Sequence, residues 1–442
     1  MRNTLVFMAY VMIIFIILHI ASNYRCNKNY DDKTIMNLLK SDYDEKPSPS
    51  ISSHNNPLYF IMHVGPLKTA TSTIQCELKA LYDEGLFQPF NVELGYTTSC
   101  SQKIVKHNKI HDCFRLWNAT SVGMPECWEN GYIPYIERQR KLNKSIIISD
   151  EILAELSKKI KDDHSKQFMT DLQTSLREHG YELWVIATYR YYAEWVYSLY
   201  TQKNKIKPKT SKINRNYSVW PDEGGFNVPT FESWFYSYQP SNYFTDKVTD
   251  FYSSTHETNN ITVKVLDMDN GDIMKQFLCD ALPLSSSGNG NIGNLSANSI
   301  CDLENYITNY SENKAPNNIW INTLAVKAHQ KGFLSNNISR VHIMKDIETY
   351  ANQMDLSYGG KAITKLCPPQ KFYDLLLNES MVHYSNILDN QDTNFYRNLE
   401  EKKRNYRDRL NHMKDAEKLC TVDAEQMLLR EEWTSFFRQY AL

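Results

Sequence analysis

Leu58-Tyr-Phe-Ile-Met-His-Val64, followed directly by Gly65-Pro66-Leu67-Lys68-Thr69-Ala70-Thr71-Ser72-Thr73, is the stretch that decides the fold. An apolar run of strand length enters a Gly/Pro turn, and a string of hydroxyl residues then opens a helix. Such a turn gathers backbone N–H groups and the positive end of a helix dipole at one point, and Lys68 adds a mobile full charge. The arrangement is a cradle for an anion, with phosphate or sulfate as the fitting guest. The spacing is not that of an ATP-binding loop, in which four residues separate the first Gly from Gly-Lys-Ser/Thr. Here Lys68-Thr69 follows Gly65 after only two residues. A plain strand-turn-helix with Thr residues at the helix start would have the same composition, so the loop alone leaves both readings open.

A second strand-turn-helix adds weight. Tyr181-Glu-Leu-Trp-Val-Ile-Ala-Thr188 reads as a buried strand, ends in Tyr189-Arg190, and runs into a helical stretch that carries Ser198. An Arg suits a phosphate because its fork meets two oxygens at once. In this order the two motifs resemble those of the sulfotransferases that use 3′-phosphoadenosine 5′-phosphosulfate (PAPS). The family loop has the form Gly-x-x-Lys-Thr-Gly-Thr-Thr-x-hydrophobic-Gln. This chain matches at Gly65, Lys68, Thr69, Thr71 and Gln75 and departs at Ala70 and Ser72. Ser72 keeps the hydroxyl, whereas Ala70 is costly if the position needs a positive φ.

The resemblance covers roughly Leu58 to Leu284 and implies the following. Gly65, Pro66, Lys68, Thr69, Ala70, Thr71, Ser72 and Thr73 would hold the 5′-phosphosulfate of PAPS, and Arg190 with Ser198 the 3′-phosphate. Lys68 would stabilise charge on the departing phosphate. A general base would remove the acceptor proton. Glu151, beyond the strand Ser145-Ile-Ile-Ile-Ser149, is the leading candidate, with Asp150, His107 and His111 as alternatives. No Cys or His cluster has zinc spacing, so no metal is expected.

Strands alternating with helices predict an α/β domain with a parallel sheet covered on both faces. The resemblance makes it a P-loop-like three-layer fold with a helical C-terminal extension. Strands are expected at 58–64, 145–149, 181–188 and 260–266. Helices are expected at 71–83, 166–179, 191–203, within 230–254 and at 271–282, with an irregular Cys-containing insert up to about residue 140. The division is a tail at 1–4, a membrane anchor at 5–21, a disordered stem at 22–57, an α/β core at 58–284 and a mostly helical extension at 285–442. In the extension, the charged run Asn398 to Arg409 reads as a solvated helix face, and Glu431 to Arg438 as an amphipathic end that docks on the core.

The run Leu5 to Ala21 carries no formal charge and sits at the lower limit for a membrane span. Eight Asn-x-Ser/Thr triplets follow it, at Asn118, Asn143, Asn216, Asn260, Asn294, Asn309, Asn337 and Asn378. These features predict a single-pass type II protein with a lumenal body, the plan of Golgi carbohydrate sulfotransferases; a cleaved, secreted form is the alternative. A lumenal body permits disulfides. Among the nine Cys, Cys279 with Cys301 and Cys367 with Cys420 are the expected pairs, and Cys76 is expected to be a buried free thiol.

A net charge of −2 over 442 residues excludes a general polyanion binder and gives no reason to expect nucleic acid. Lys203, Lys205, Lys207, Lys209, Lys212 and Arg215 nevertheless cluster with no acid among them. They read either as a basic loop or as a contact surface for an acidic or sulfated polysaccharide, with Tyr217 and Trp220 to stack on sugar rings. The expected acceptor is a carbohydrate hydroxyl. A protein tyrosine or small-molecule acceptor, a lumenal kinase and a non-catalytic lectin or scaffold are the other readings.

Overall fold

In a computed structural model of the chain, the residues described are 57–66, 69–95, 110, 113–114, 125–156, 162–204, 220, 229–253, 261–284, 291–292, 295–296, 299–306, 319–358, 363–389 and 398–440. The anchor at 5–21, the stem up to residue 56, Leu67, Lys68, His107, His111, Lys205, Lys207, Lys209, Lys212, Arg215 and Tyr217 lie outside them. So do Asn118, Asn216, Asn260, Asn294 and Asn309. Among the described residues no helix is long and apolar enough to cross a membrane.

Five strands form one parallel sheet: β1 (Leu58–Val64), β2 (Val92–Leu94), β3 (Ser145–Ser149), β4 (Tyr181–Tyr189) and β5 (Thr262–Asp267), in the order β2-β3-β1-β4-β5. β1 is central, paired with β3 through Phe60–Ile146 to His63–Ser149 and with β4 through Leu58–Tyr181 to Val64–Ala187. Its unbroken apolar run suits that place, since a strand covered on both faces has no solvent side to make polar. Phe60, Ile61, Met62 and Val64 are fully buried.

Successive side chains point to opposite faces. On one face Ile61, Ile147 and Ile186 join a core with Ile74, Leu78 and Leu81 of helix α1 (Thr71–Asp83) and with Met274, Phe277 and Leu278. Each fully buried side chain of this size contributes about 1.5–3 kcal/mol. The helix expected at 271–282 is a short α-turn, Ile273–Lys275, continuing as a π-helix over Gln276–Ala281. The insert is less irregular than its sequence suggests: it contains β2, a π-turn at Trp128–Tyr132 and helix α2 (Ile133–Lys141).

Helix α3 (Asp162–Glu178), which ends before Gly180 at φ 78°, packs on β4. α4 (Tyr192–Asn204) follows β4, then come α5 (Phe231–Tyr238) and α6 (Thr245–Ser253), which packs on α3, β4 and β5. With α1 on one face and α3 and α6 on the other, the architecture is a three-layer α/β fold.

The rest is helical: α7 (Ile319–Gln330), α8 (Arg340–Tyr358), α9 (Gln370–Asp389), α10 (Leu399–Asp415), α11 (Ala424–Leu429) and α12 (Glu431–Arg438). α12 buries Trp433, Phe436 and Phe437 in a second core with residues of α7, α8 and α11. α10 is not the solvated face its charges suggest. It buries Tyr406, Leu410 and Met413, and Lys402 is only 10% exposed.

Cys279–Cys301 and Cys367–Cys420 are disulfides, the latter next to the paired two-residue strands Lys365–Leu366 and Thr421–Val422. Cys76 is also disulfide-bonded, which overturns its reading as a free thiol. Burial in α1 suggested an inert thiol, but a helix face can present a Cys to a partner far away in sequence.

The chain divides into two units, one containing residues 124–138 and the other residues 57–123 and 139–442. Within the first, Trp128 stacks on Tyr132 and Arg138 lies over the Tyr135 ring.

Candidate functional site

The connection leaving β1 passes over β3 to β2, whereas the one leaving β4 runs the opposite way to β5. The crevice between the carboxyl ends of β1 and β4 is therefore the point where the winding reverses, the usual ligand place in such sheets. Gly65 follows β1 and Arg190 follows β4, so both motifs stand at this crevice.

The two strand ends are latched together. Thr188 Oγ1 donates to Thr69 Oγ1 at 2.6 Å, and Thr69 Oγ1 donates to the Pro66 carbonyl at 2.7 Å. Thr245 Oγ1 donates to the Thr188 carbonyl at 2.8 Å. Gly65 lies inside this ring of hydroxyls. A Cβ there would meet Thr188 Oγ1, and would stand 2.8 Å from both Thr69 Oγ1 and Thr71 Oγ1. Gln75, buried in α1, donates from Nε2 to the Ser149 carbonyl at 2.8 Å and so fixes α1 against β3.

Ala70 precedes α1 with φ 59° and ψ 12°, in the left-handed region, and provides no side-chain cap. This is the position where the family loop has Gly, and the backbone does need a positive φ there. An L-residue in that region is strained by about 1–2 kcal/mol. Ala70→Gly should therefore stabilise the chain by about 0.5–1 kcal/mol, once the greater freedom of Gly in the unfolded chain is set against it. A urea midpoint that falls instead of rising would refute this.

The first turn of α1 has no acidic residue. Thr71 is 2% exposed, and its Oγ1 has no hydrogen-bond partner. A buried orphan hydroxyl is costly. At the start of an uncapped helix, an anion would satisfy it. Thr73 is half-buried.

Glu151 opens a 3₁₀ turn, Glu151–Glu155, and is half-buried. With Pro66, Ala154, Trp195, Leu199, Tyr238 and Tyr243 it lines a small, open cavity. Glu151, the candidate base, and Pro66 of the loop after β1 thus share one cavity. Asp150 is buried, and its N–H donates to the His63 carbonyl at 3.1 Å. Tyr238 and Tyr243 escaped the sequence reading. They stack on each other with centroids 5.2 Å apart, and Lys203 lies over Tyr238. The aromatic density of Trp234 to Tyr243 was the available signal. Trp220, available to stack on sugar in the polysaccharide reading of the basic run, is instead buried, with its indole N–H donating to the Ile338 carbonyl and its ring stacked on His329. Its place beside a basic run said nothing about the hydrophobic core that claims it.

Arg190 approaches Glu194 Oε2 at 3.6 Å, and Ser198, two turns into the same helix, is half-buried. Burial lowers the Arg190 pKa from its ordinary value, against the opposing pull of Glu194. The described sequon residues Asn143, Asn337 and Asn378 are all exposed. No family model, curated protein or solved structure matches the chain.

Proposed function

We propose that the chain is a sulfotransferase that moves a sulfuryl group from PAPS to a carbohydrate hydroxyl, as a Golgi type II membrane protein with a lumenal body. The observation that carries the reading is the buried, unpartnered Thr71 hydroxyl at the uncapped start of α1, crowded against Gly65 at the end of β1. Arg190 at the neighbouring strand end supplies a second anion contact across the same crevice.

In this reading Gly65, Pro66, Lys68, Thr69, Ala70, Thr71, Ser72 and Thr73 surround the 5′-phosphosulfate, and Arg190 with Ser198 hold the 3′-phosphate. Lys68 offsets charge on the phosphate oxygen that departs. Glu151 accepts the proton of the attacking hydroxyl while the new S–O bond forms and the S–O bond to phosphate breaks. Tyr238 and Tyr243 give the cavity beside Glu151 flat apolar walls, which suit a sugar ring.

A second reading, phosphoryl transfer from a nucleoside triphosphate, draws on Asp150. This buried carboxylate ends β3 next to β1, where such enzymes keep a Mg²⁺-holding Asp. The Lys spacing of the loop argues against it.

Calorimetry with the full chain separates the two. Adenosine 3′,5′-bisphosphate should bind, and Arg190→Ala should weaken it by about tenfold or more, the worth of a charge-assisted contact. Lys68→Ala should act in the same direction. Binding of ATP but not of the bisphosphate would favour the kinase. Binding of the bisphosphate without transfer of labelled sulfate to any carbohydrate would leave a scaffold.

A further inference from the structure

Glu194 and Ser198 stand four residues apart on α4 and share one helix stripe, while Arg190, two residues before α4, reaches Glu194 Oε2. A carboxylate therefore sits between the two residues proposed to hold a phosphate. Glu194 already pairs with Arg190 across i,i+4, and with no other partner it would hold the guanidinium more closely and repel an anion.

The chain deals with Glu194 from a distance. Arg409, on α10 and 215 positions along the sequence, takes both oxygens of that carboxylate: Nε meets Oε1 at 3.1 Å and Nη2 meets Oε2 at 2.9 Å. Arg190 meets it at 3.6 Å. Arg409 is itself fixed, with Nη1 2.7 Å from Asp269 Oδ1 and its guanidinium 4.7 Å over the Tyr191 ring. Lys402, two turns earlier on the same side of α10, pairs with Asp269 Oδ2 at 3.4 Å and so supports the acid that supports Arg409. Burial opposes the charge on Arg409, but Asp269 and Glu194 outweigh it and raise its pKa above the ordinary value.

We infer that Arg409 is a positioning residue for the anion site at Arg190: it holds and neutralises Glu194, the site's built-in competitor. The inference rests on the proposed anion site at Arg190. It makes α10 part of that site, and makes anion affinity depend on a helix that never has to touch the ligand.

The test compares Arg409→Gln, Glu194→Gln and the double variant by calorimetry on the full chain, with adenosine 3′,5′-bisphosphate and inorganic pyrophosphate as probes. Arg409→Gln should weaken binding about tenfold, because Glu194 then closes on Arg190. Adding Glu194→Gln should restore affinity to within about threefold of the unmutated chain. Glu194→Gln alone should bind at least as tightly as the unmutated chain. Rescue is the decisive readout, since a merely structural Arg409 would leave the double variant as weak as the single. Unchanged binding in Arg409→Gln, or no rescue, overturns the inference while the sulfotransferase reading stands. If the unmutated chain binds pyrophosphate but not the nucleotide, that reading fails, and the same comparison with pyrophosphate still decides the role of Arg409. Binding of neither overturns both.

Discussion

Replacing His383 with alanine should destabilise the protein by about 3–5 kcal/mol, the usual loss when one partner of a buried ion pair is removed. His383 lies on α9, is 3% exposed, and its Nδ1 stands 2.8 Å from Oδ1 of the fully buried Asp246 on α6. Its Nε2 faces Glu379 Oε2 at 3.6 Å. The ring is packed between Tyr192 and Phe244, at 4.6 and 4.9 Å. Asn386 donates to Asp246 Oδ2 at 2.9 Å, Lys247 approaches that oxygen at 3.8 Å, and Ser241 donates to Glu379 at 2.8 Å. Truncation would leave Asp246 with Asn386 and a half-exposed Lys247 alone, and would open a void between two rings. The measurement is the urea midpoint of the full chain. A loss under about 1 kcal/mol, typical of an exposed pair, would show that the contact is not the tie between α6 and α9.

The same cluster sets a pH window. Burial lowers the His383 pKa, but Asp246 and Glu379 outweigh it and the pKa is raised above 6.5. Its contribution is thus complete below about 6.5 and is lost as pH rises through the folded value. Asp246 is lowered below 3.8, with burial opposed by His383, Asn386 and Lys247; Glu379 is lowered below 4.5, chiefly by the facing His383 ring. Their contribution is complete above about 4.5 and is lost as pH falls. The stability supplied by this cluster should be greatest between about pH 4.5 and 6.5, and His383→Ala should flatten the profile on both sides.

Features that depend on neighbours in sequence were legible. β1, its loop and α1 were, because strand period, turn chemistry and helix start lie within one short segment. The Cys279–Cys301 and Cys367–Cys420 pairs were expected in a chain read as folding where disulfides form, and both are present. β2 was not, since three residues carry no period. The contacts that shape the site were not legible either. Arg409 meets Glu194, and His383 meets Asp246, only after helices of the extension dock on the α/β core. A charged run on an amphipathic helix looks the same whether its charges face water or buried acids. For α10 the apolar residues Tyr406, Leu410 and Met413 were the available clue, and they were outnumbered.

If the proposed nucleotide site is right, Gly65→Ala should weaken nucleotide binding by about a hundredfold or more while leaving the sheet folded. Gly65 does not have a left-handed backbone, so the requirement is one of space rather than of dihedral angle. The added methyl would sit 2.8 Å from Thr69 Oγ1 and Thr71 Oγ1 and nearer still to Thr188 Oγ1. All three oxygens are on short β-branched side chains with little room to turn. Thr69 and Thr188 are further held by hydrogen bonds to Pro66 and to each other. Overpacking of this kind costs about 1–3 kcal/mol, which a three-layer core can withstand. The loop cannot absorb it without moving, and moving displaces Thr71 and the first amides of α1 from the anion. Nucleotide affinity should therefore fall by about a hundredfold or more, the equivalent of two charge-assisted hydrogen bonds, with a much smaller change in urea midpoint. Thr188→Ala removes the nearest of the three oxygens. Combined with Gly65→Ala it should recover part of the affinity, although alone it costs about 1 kcal/mol for the lost hydrogen bond to Thr69. If Gly65→Ala bound as tightly as the unmutated chain, the ring of hydroxyls around Gly65 would be a strand-to-helix joint with no anion in it.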